Sequence, residues 1–206
     1  MMYENSTGFL IEISGVDGAG KSLLAQGLLT ELQKRRYKCV SQDFFVRPLY
    51  LIASKHMDDR DDYSLKSLFS VNTANILIAC DELLYYYYHT VQMIENGYVV
   101  ISARSLWDRK IRAAIDGASN IEDLEKLVSL SPVKPKFQFH LKVSLENSLE
   151  RMRSRGTDNE NEVRTERHIY MSDSEAEKKG WIIIDANRYH KDVLSDVLSI
   201  VMESLN

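Results

Sequence analysis

Several features that would suggest a covalent, metal-held or membrane scaffold are scarce in this 206-residue chain. It has two cysteines, Cys39 and Cys80, far apart and without C-x-x-C spacing, which gives no basis for a disulfide framework or a cysteine zinc site. Free, partly buried thiols are expected instead. His56, His89, His140, His168 and His190 show no H-x-x-x-H or mixed His/Cys spacing, so structural or surface roles are expected and no metal cluster is. No apolar tract approaches the length needed to cross a bilayer. Positive charge is not in excess either: the formal net charge of -4 gives no overall reason to bind nucleic acid or an anionic membrane. The opening "MMYENSTG" lacks a basic region followed by an apolar one, and a cytoplasmic location is the expectation. No repeat, long linker or low-complexity tail interrupts the chain, so residues 1–206 are expected to form one domain.

With 44% apolar and 27% charged residues, the composition is that of an ordinary globular protein. "FLIEIS" (Phe9 to Ser14) reads as a first strand, and Leu23, Leu24, Leu28 and Leu32 recur at helical spacing after it. "KCVSQDF" reads as a second strand, and a long helical region from Leu65 stops at Asn96-Gly97. "VVIS" at 99–102 supplies a third strand, "KFQFHLKV" (Lys136 to Val143) a fourth and "WIIIDA" (Trp181 to Ala186) a fifth. Pro132 and Pro135 bracket a turn before the fourth strand. Strands alternating with helices predict an α/β fold, a five-stranded parallel sheet covered by helices on both faces. Two stretches are strongly polar: the acidic "MDDRDDY", read as a solvated loop, and "RSRGTDNENEVRTER" (Arg153 to Arg167), read as a mobile excursion.

"GVDGAGKS", residues 15 to 22, satisfies G-x-x-x-x-G-K-[ST] between a predicted strand and a predicted helix. Gly15, Gly18 and Gly20 let several backbone N–H groups point at one phosphate, and the N-terminal end of the helix adds its positive field. Lys21 is placed to reach the β- and γ-phosphates, and the Ser22 hydroxyl to ligate Mg²⁺. Nucleotide binding follows; the motif alone does not separate kinases from other nucleotide hydrolases or transferases.

Nearly the whole chain resembles the thymidylate kinases. "FLIEISGVDGAGKSLLAQGLLTELQKR" resembles their opening, including an acid in the loop at Asp17; "ENGYVVISARS" resembles their x-N-G-x-x-V-I-x-D-R-Y segment, and "LERMRSRGTDNENE" their arginine-bearing lid. The resemblance implies a three-layer P-loop kinase fold with a lid at about 153–167, a homodimer, and ATP and Mg²⁺ as cofactors, with ATP phosphorylating thymidine monophosphate. It implies that Gly15, Val16, Asp17, Gly18, Ala19, Gly20, Lys21, Ser22, Leu23 and Arg151 hold the donor nucleotide, with Ser22 on the metal. Lys21, Asp17, Arg104, Arg151 and Arg155 are implied to be catalytic, and Asp17, Arg47, Glu82, Tyr86 and Arg104 to bind the acceptor. Arginine suits this work, since a phosphoryl group in transfer is stabilised by positioned cations. Arg151 and Arg155, four residues apart, share one helix face.

Three departures from the family pattern stand out. Ala103 replaces the Asp before Arg104, and the next carboxylate, Asp108, substitutes only if the following turn folds back. "ACDE" (Ala79 to Glu82) replaces A-A-D-R, so Glu82 reverses a charge and points to an acceptor other than thymidine monophosphate. "DFFVRP" (Asp43 to Pro48) stands where R-E-P-G is usual. Tyr85 and Tyr86 fall beside Glu82 on the helix, and "YYYY" either lines an acceptor pocket or wraps the helix with some rings in the core. A deoxynucleoside kinase, echoed in "ARS" at 103–105, or another small-molecule kinase, and a nucleotide-binding regulator without turnover are the alternative readings.

Overall fold

A computed structural model describes residues 8–42, 69–156 and 161–205. Strand β1 (Phe9–Ser14) leads through the glycine-rich loop into helix α1 (Lys21–Lys34), followed by β2 (Cys39–Gln42). Helix α2 (Val71–Tyr85) passes through a π-helical turn (Tyr86–Thr90) into α3 (Val91–Glu95), and Asn96 ends this run as expected. Then come β3 (Val99–Ser102), α4 (Leu106–Ile115), α5 (Ile121–Ser129), β4 (Phe137–Lys142), α6 (Leu145–Arg155), α7 (Glu162–Lys179), β5 (Ile182–Asp185) and α8 (His190–Glu203). The strands pair in the order β2-β3-β1-β4-β5, every described pair parallel.

Period-2 alternation sorts β1 onto two layers. Ile11 and Ile13 face a core that includes Leu24, Leu28 and Leu32 of α1 and Val193, Val197 and Val201 of α8. Leu10 faces the other way, into a cluster with Val100, Tyr86, Leu106 and Val128. Glu12 and Ser14 share that second face. They turn its carboxyl-terminal end polar, at the strand ends where open parallel sheets seat their ligands. Leu23, which shares the helical spacing of α1 and is among the residues expected to hold the donor nucleotide, is exposed and borders a cavity described below.

The π turn has a clear consequence. Its wider winding aims Tyr86 and Thr90 at the same polar sheet face. The Tyr86 hydroxyl donates to Glu12 Oε1 at 2.6 Å, and Thr90 Oγ1 donates to Gln42 Oε1 at 2.7 Å. Tyr87 and Tyr88 are thrown outward. The four tyrosines therefore wrap the helix. Most of the polar stretch 153–167 is helical: Arg153 to Arg155 complete α6, Gly156 caps it in the left-handed region, and Asn161 caps α7 by accepting from Val163 N. Arg47 and the acidic run 58–62 lie outside the described residues.

Candidate active site

The loop after β1 folds as its composition demands. Gly20, the residue before α1, has φ 98°, and Gly18 has φ 80°, both in the left-handed region that L side chains rarely adopt. Gly18 is also a close approach, since a Cβ there would stand 2.5 Å from the Ser148 carbonyl oxygen on α6. Helix α6 is clamped to the loop by side chains as well. Ser148 Oγ donates to Asp17 O at 2.7 Å, and Arg151 donates from Nη1 to Gly18 O at 3.3 Å and from Nη2 to Ala186 O at 2.8 Å. Arg151 thus ties the loop to the end of β5.

Lys21 is folded over the loop, its Nζ donating to Gly15 O at 2.7 Å and Val16 O at 2.8 Å. Burial pulls its ammonium below the ordinary lysine range, an effect opposed by Asp17, whose carboxylate is 3.6 Å away. For Asp17, burial would raise the pKa, but Lys21 and Arg112 together outweigh it and hold the carboxyl well below the usual range. Arg112 Nη2 lies 2.7 Å from Asp17 Oδ2.

Asp17, Gly18, Gly20, Lys21, Ser22, Ala103, Arg104 and Arg155 surround one cavity of about 100 Å³. Most of the residues expected to act on phosphate therefore converge. Arg104 is presented by a turn that Ser102 tightens, its hydroxyl donating to Arg104 O at 2.6 Å. A larger cavity, about 610 Å³, opens next to the loop, lined among others by Ala19, Leu23, Gly27, Arg151, Arg155 and Tyr189.

Three placements bear on the expectations: one meets a condition and two are corrections. The turn after Ala103 does fold back: Ser105 and Asp108 form a reciprocal capping box at the start of α4, Asp108 Oδ2 accepting from Ser105 N at 2.9 Å. Asp108 Oδ1 in turn accepts from Ser14 Oγ, which brings a carboxylate to the residue preceding the loop. Glu82 is not a bare acid. Arg109 donates to both its oxygens, from Nε at 3.2 Å and Nη2 at 2.6 Å, and both side chains are buried, so the charge reversal is locally neutralised. The expectation of a different acceptor loses its premise. Tyr86, expected at the acceptor, is fully enclosed and serves Glu12, a buried carboxylate that also accepts from Ser105 Oγ at 3.0 Å and Gln138 Nε2 at 3.1 Å. Burial raises the Glu12 pKa despite these donors.

Sequence reasoning passed over Arg109 and Arg112. The signal was present, because Ser105, Asp108, Arg109 and Arg112 follow at i, i+3, i+4 and i+7 and make a polar stripe on a helix whose other face is apolar. His168 on α7 was also missed as a site neighbour. Burial, reinforced by Arg112, lowers its pKa to about 4, which keeps the imidazole neutral.

A glycine-rich cradle at the carboxyl ends of a parallel sheet, with a buried lysine and converging arginines, defines a P-loop phosphotransferase. A family model described as thymidylate kinase matches residues 13–197, and the chain belongs to that family, the nucleoside monophosphate kinases. It is 27% identical to a protein named probable thymidylate kinase 2 from Saccharolobus solfataricus, over 97% of this chain and 98% of that one. It is 22% identical to a probable thymidylate kinase from Caldivirga maquilingensis, over 93% of this chain and 92% of that one.

Proposed function

We propose that the chain transfers the γ-phosphoryl group of ATP to thymidine monophosphate, giving thymidine diphosphate and ADP. The observation that carries this reading is the convergence of Lys21, Asp17, Arg104 and Arg155 on a single cavity beside the phosphate loop. Two polyanionic reactants repel, and catalysis consists of holding them together among preorganised cations. In this reading Lys21 exchanges its loop carbonyls for the β- and γ-phosphates, and the neighbouring 610 Å³ cavity takes the nucleoside of ATP. Arg151 and Arg155 stabilise the group in transfer, and Arg104 seats the acceptor phosphate with Asp17 beside it.

Among the described residues no cluster of three or more His, Cys, Asp or Glu is arranged to hold a metal by itself. The site suits Mg²⁺ shared with a nucleotide, since this ion takes one or two protein oxygens and completes its shell with phosphate and water. The hydroxyl of Ser22, in the loop cavity, is such a donor. When bound, the ion offsets the phosphate charge.

We read the chain as one domain, with 153–167 as the lid segment, working as a homodimer in the cytoplasm. Exposed Leu84, Tyr87 and Tyr88 supply apolar surface for a second copy. The free thiols Cys39 and Cys80 suit a reducing compartment, and no described helix is long and apolar enough to cross a membrane.

The test follows label from γ-phosphate-labelled ATP into product across a panel of deoxynucleoside monophosphates and deoxynucleosides. Label in thymidine diphosphate supports the proposal. Label only in a nucleoside monophosphate makes the chain a deoxynucleoside kinase, and ATP binding without acceptor-dependent transfer makes it a regulator.

A further inference from the structure

Beside the buried apolar Leu106, Ile111 and Ala113, α4 carries one polar and charged stripe: Ser105, Asp108, Arg109 and Arg112. Buried polar groups are expensive unless each has a partner, so each of these needs an account. Ser105 and Asp108 cap the helix, and Arg109 neutralises Glu82. Arg112 differs. Its side chain keeps 27% of its surface and reaches the phosphate loop, where it meets Asp17. Arg104 borders both the loop cavity and a small adjoining one that Arg109 and Arg112 also line. Two guanidiniums from one turn and its helix thus flank the loop acid.

A carboxylate at Asp17 inside a phosphate-binding loop repels any anion brought beside it, and the more so the less water reaches the site. Arg112 cancels that charge where it arises. A guanidinium presents five N–H donors in a planar fork, enough to serve a carboxylate and a phosphate together.

Building on the reading of the chain as a nucleoside monophosphate kinase, we infer that Arg112 is a specificity-determining residue for the acceptor. It neutralises Asp17 and joins Arg104 as a second cation for the acceptor's phosphate, so that the site selects nucleotides over nucleosides. Helix α7 braces this arm: Arg164 Nη2 is 2.7 Å from Asp116 Oδ1 at the end of α4, and Lys110 Nζ is 2.8 Å from Glu175 Oε1. The arginine is therefore held by packed helices rather than by a loop alone.

The experiment is calorimetric titration of the full chain with thymidine monophosphate, thymidine and a non-hydrolysable ATP analogue, comparing wild type with Arg112→Ala and Arg112→Lys. Thymidine monophosphate binding weakens about tenfold to a hundredfold in Arg112→Ala and less in Arg112→Lys, which keeps the charge without the fork. Thymidine binds within about twofold of wild type, and the ATP analogue, whose phosphates meet the same loop, weakens less than thymidine monophosphate. Equal weakening of monophosphate and nucleoside, or a loss for the ATP analogue as large as that for the monophosphate, overturns the inference and leaves Arg112 as a brace for the loop. These measurements need no turnover, so they separate from failure of the proposed reaction, which appears as absent label transfer in the wild type.

Discussion

Arg109 of α4 grips Glu82 of α2 by two hydrogen bonds, Nε and Nη2 each meeting one carboxylate oxygen, with both side chains less than a tenth exposed. Such a pair is weak evidence for net stability, but breaking it leaves a buried charge. Arg109→Ala is expected to destabilise the fold by about 3–5 kcal/mol in urea unfolding. Combining Glu82→Leu with Arg109→Met should lose much less than the sum of the separate changes. Additive losses would show that the two side chains act independently.

Gly18 and Gly20 make a matched comparison. Both have positive φ, yet a Cβ at Gly18 would meet the Ser148 carbonyl at 2.5 Å while one at Gly20 meets nothing within 4 Å. Gly18→Ala should lower the melting temperature more than Gly20→Ala, because strain of about 1–3 kcal/mol is common to both and the backbone clash is not. Equal shifts would mean that contact with α6 does not shape the loop.

His168 predicts an acid-labile fold. Its folded pKa of about 4 lies below its unfolded value near 6.5, so the unfolded chain takes up the proton first as pH falls. The stabilisation is fully present above about pH 6.5 and is lost between there and about pH 4, in total by about 3 kcal/mol. Glu12 works in the opposite sense: its raised pKa adds stability as pH falls. Comparing urea midpoints of wild type and His168→Gln between pH 7 and 4 isolates the histidine, and the variant should show the flatter acid loss. Parallel curves would contradict the assignment.

Arg151 bridges Gly18 to Ala186, whereas Arg104 stands at the turn after β3. Arg151→Ala should therefore lower kcat and raise the KM for ATP about tenfold or more with a smaller effect on the acceptor KM, and Arg104→Ala should raise the acceptor KM more than the ATP KM. Steady-state kinetics with each substrate varied in turn would detect either pattern, and matching effects on both substrates would undo the division of roles.

The parallel sheet, the strand-loop-helix start and the arginines of α6 were legible because each rests on local pattern: alternation, a glycine motif, a four-residue spacing. What was hidden depends on partners distant in sequence. Glu82 read as a charge reversal because nothing local announces that Arg109, on another helix, is its counter-ion. Tyr86 read as an acceptor contact because its aim depends on a π turn and on Glu12, 74 residues earlier. Asp108 was half visible: S-x-x-D is a helix-start signature, but its contact with Ser14 requires β1 and β3 to be neighbours.

Acceptor-dependent ADP release is the most direct measure of thymidine monophosphate phosphorylation by this chain. In a coupled assay with ATP and Mg²⁺, release should require thymidine monophosphate, find no support from thymidine, and be lost in Lys21→Ala. ATP binding with no release above the acceptor-free rate, or turnover that survives Lys21→Ala, would contradict the proposed function.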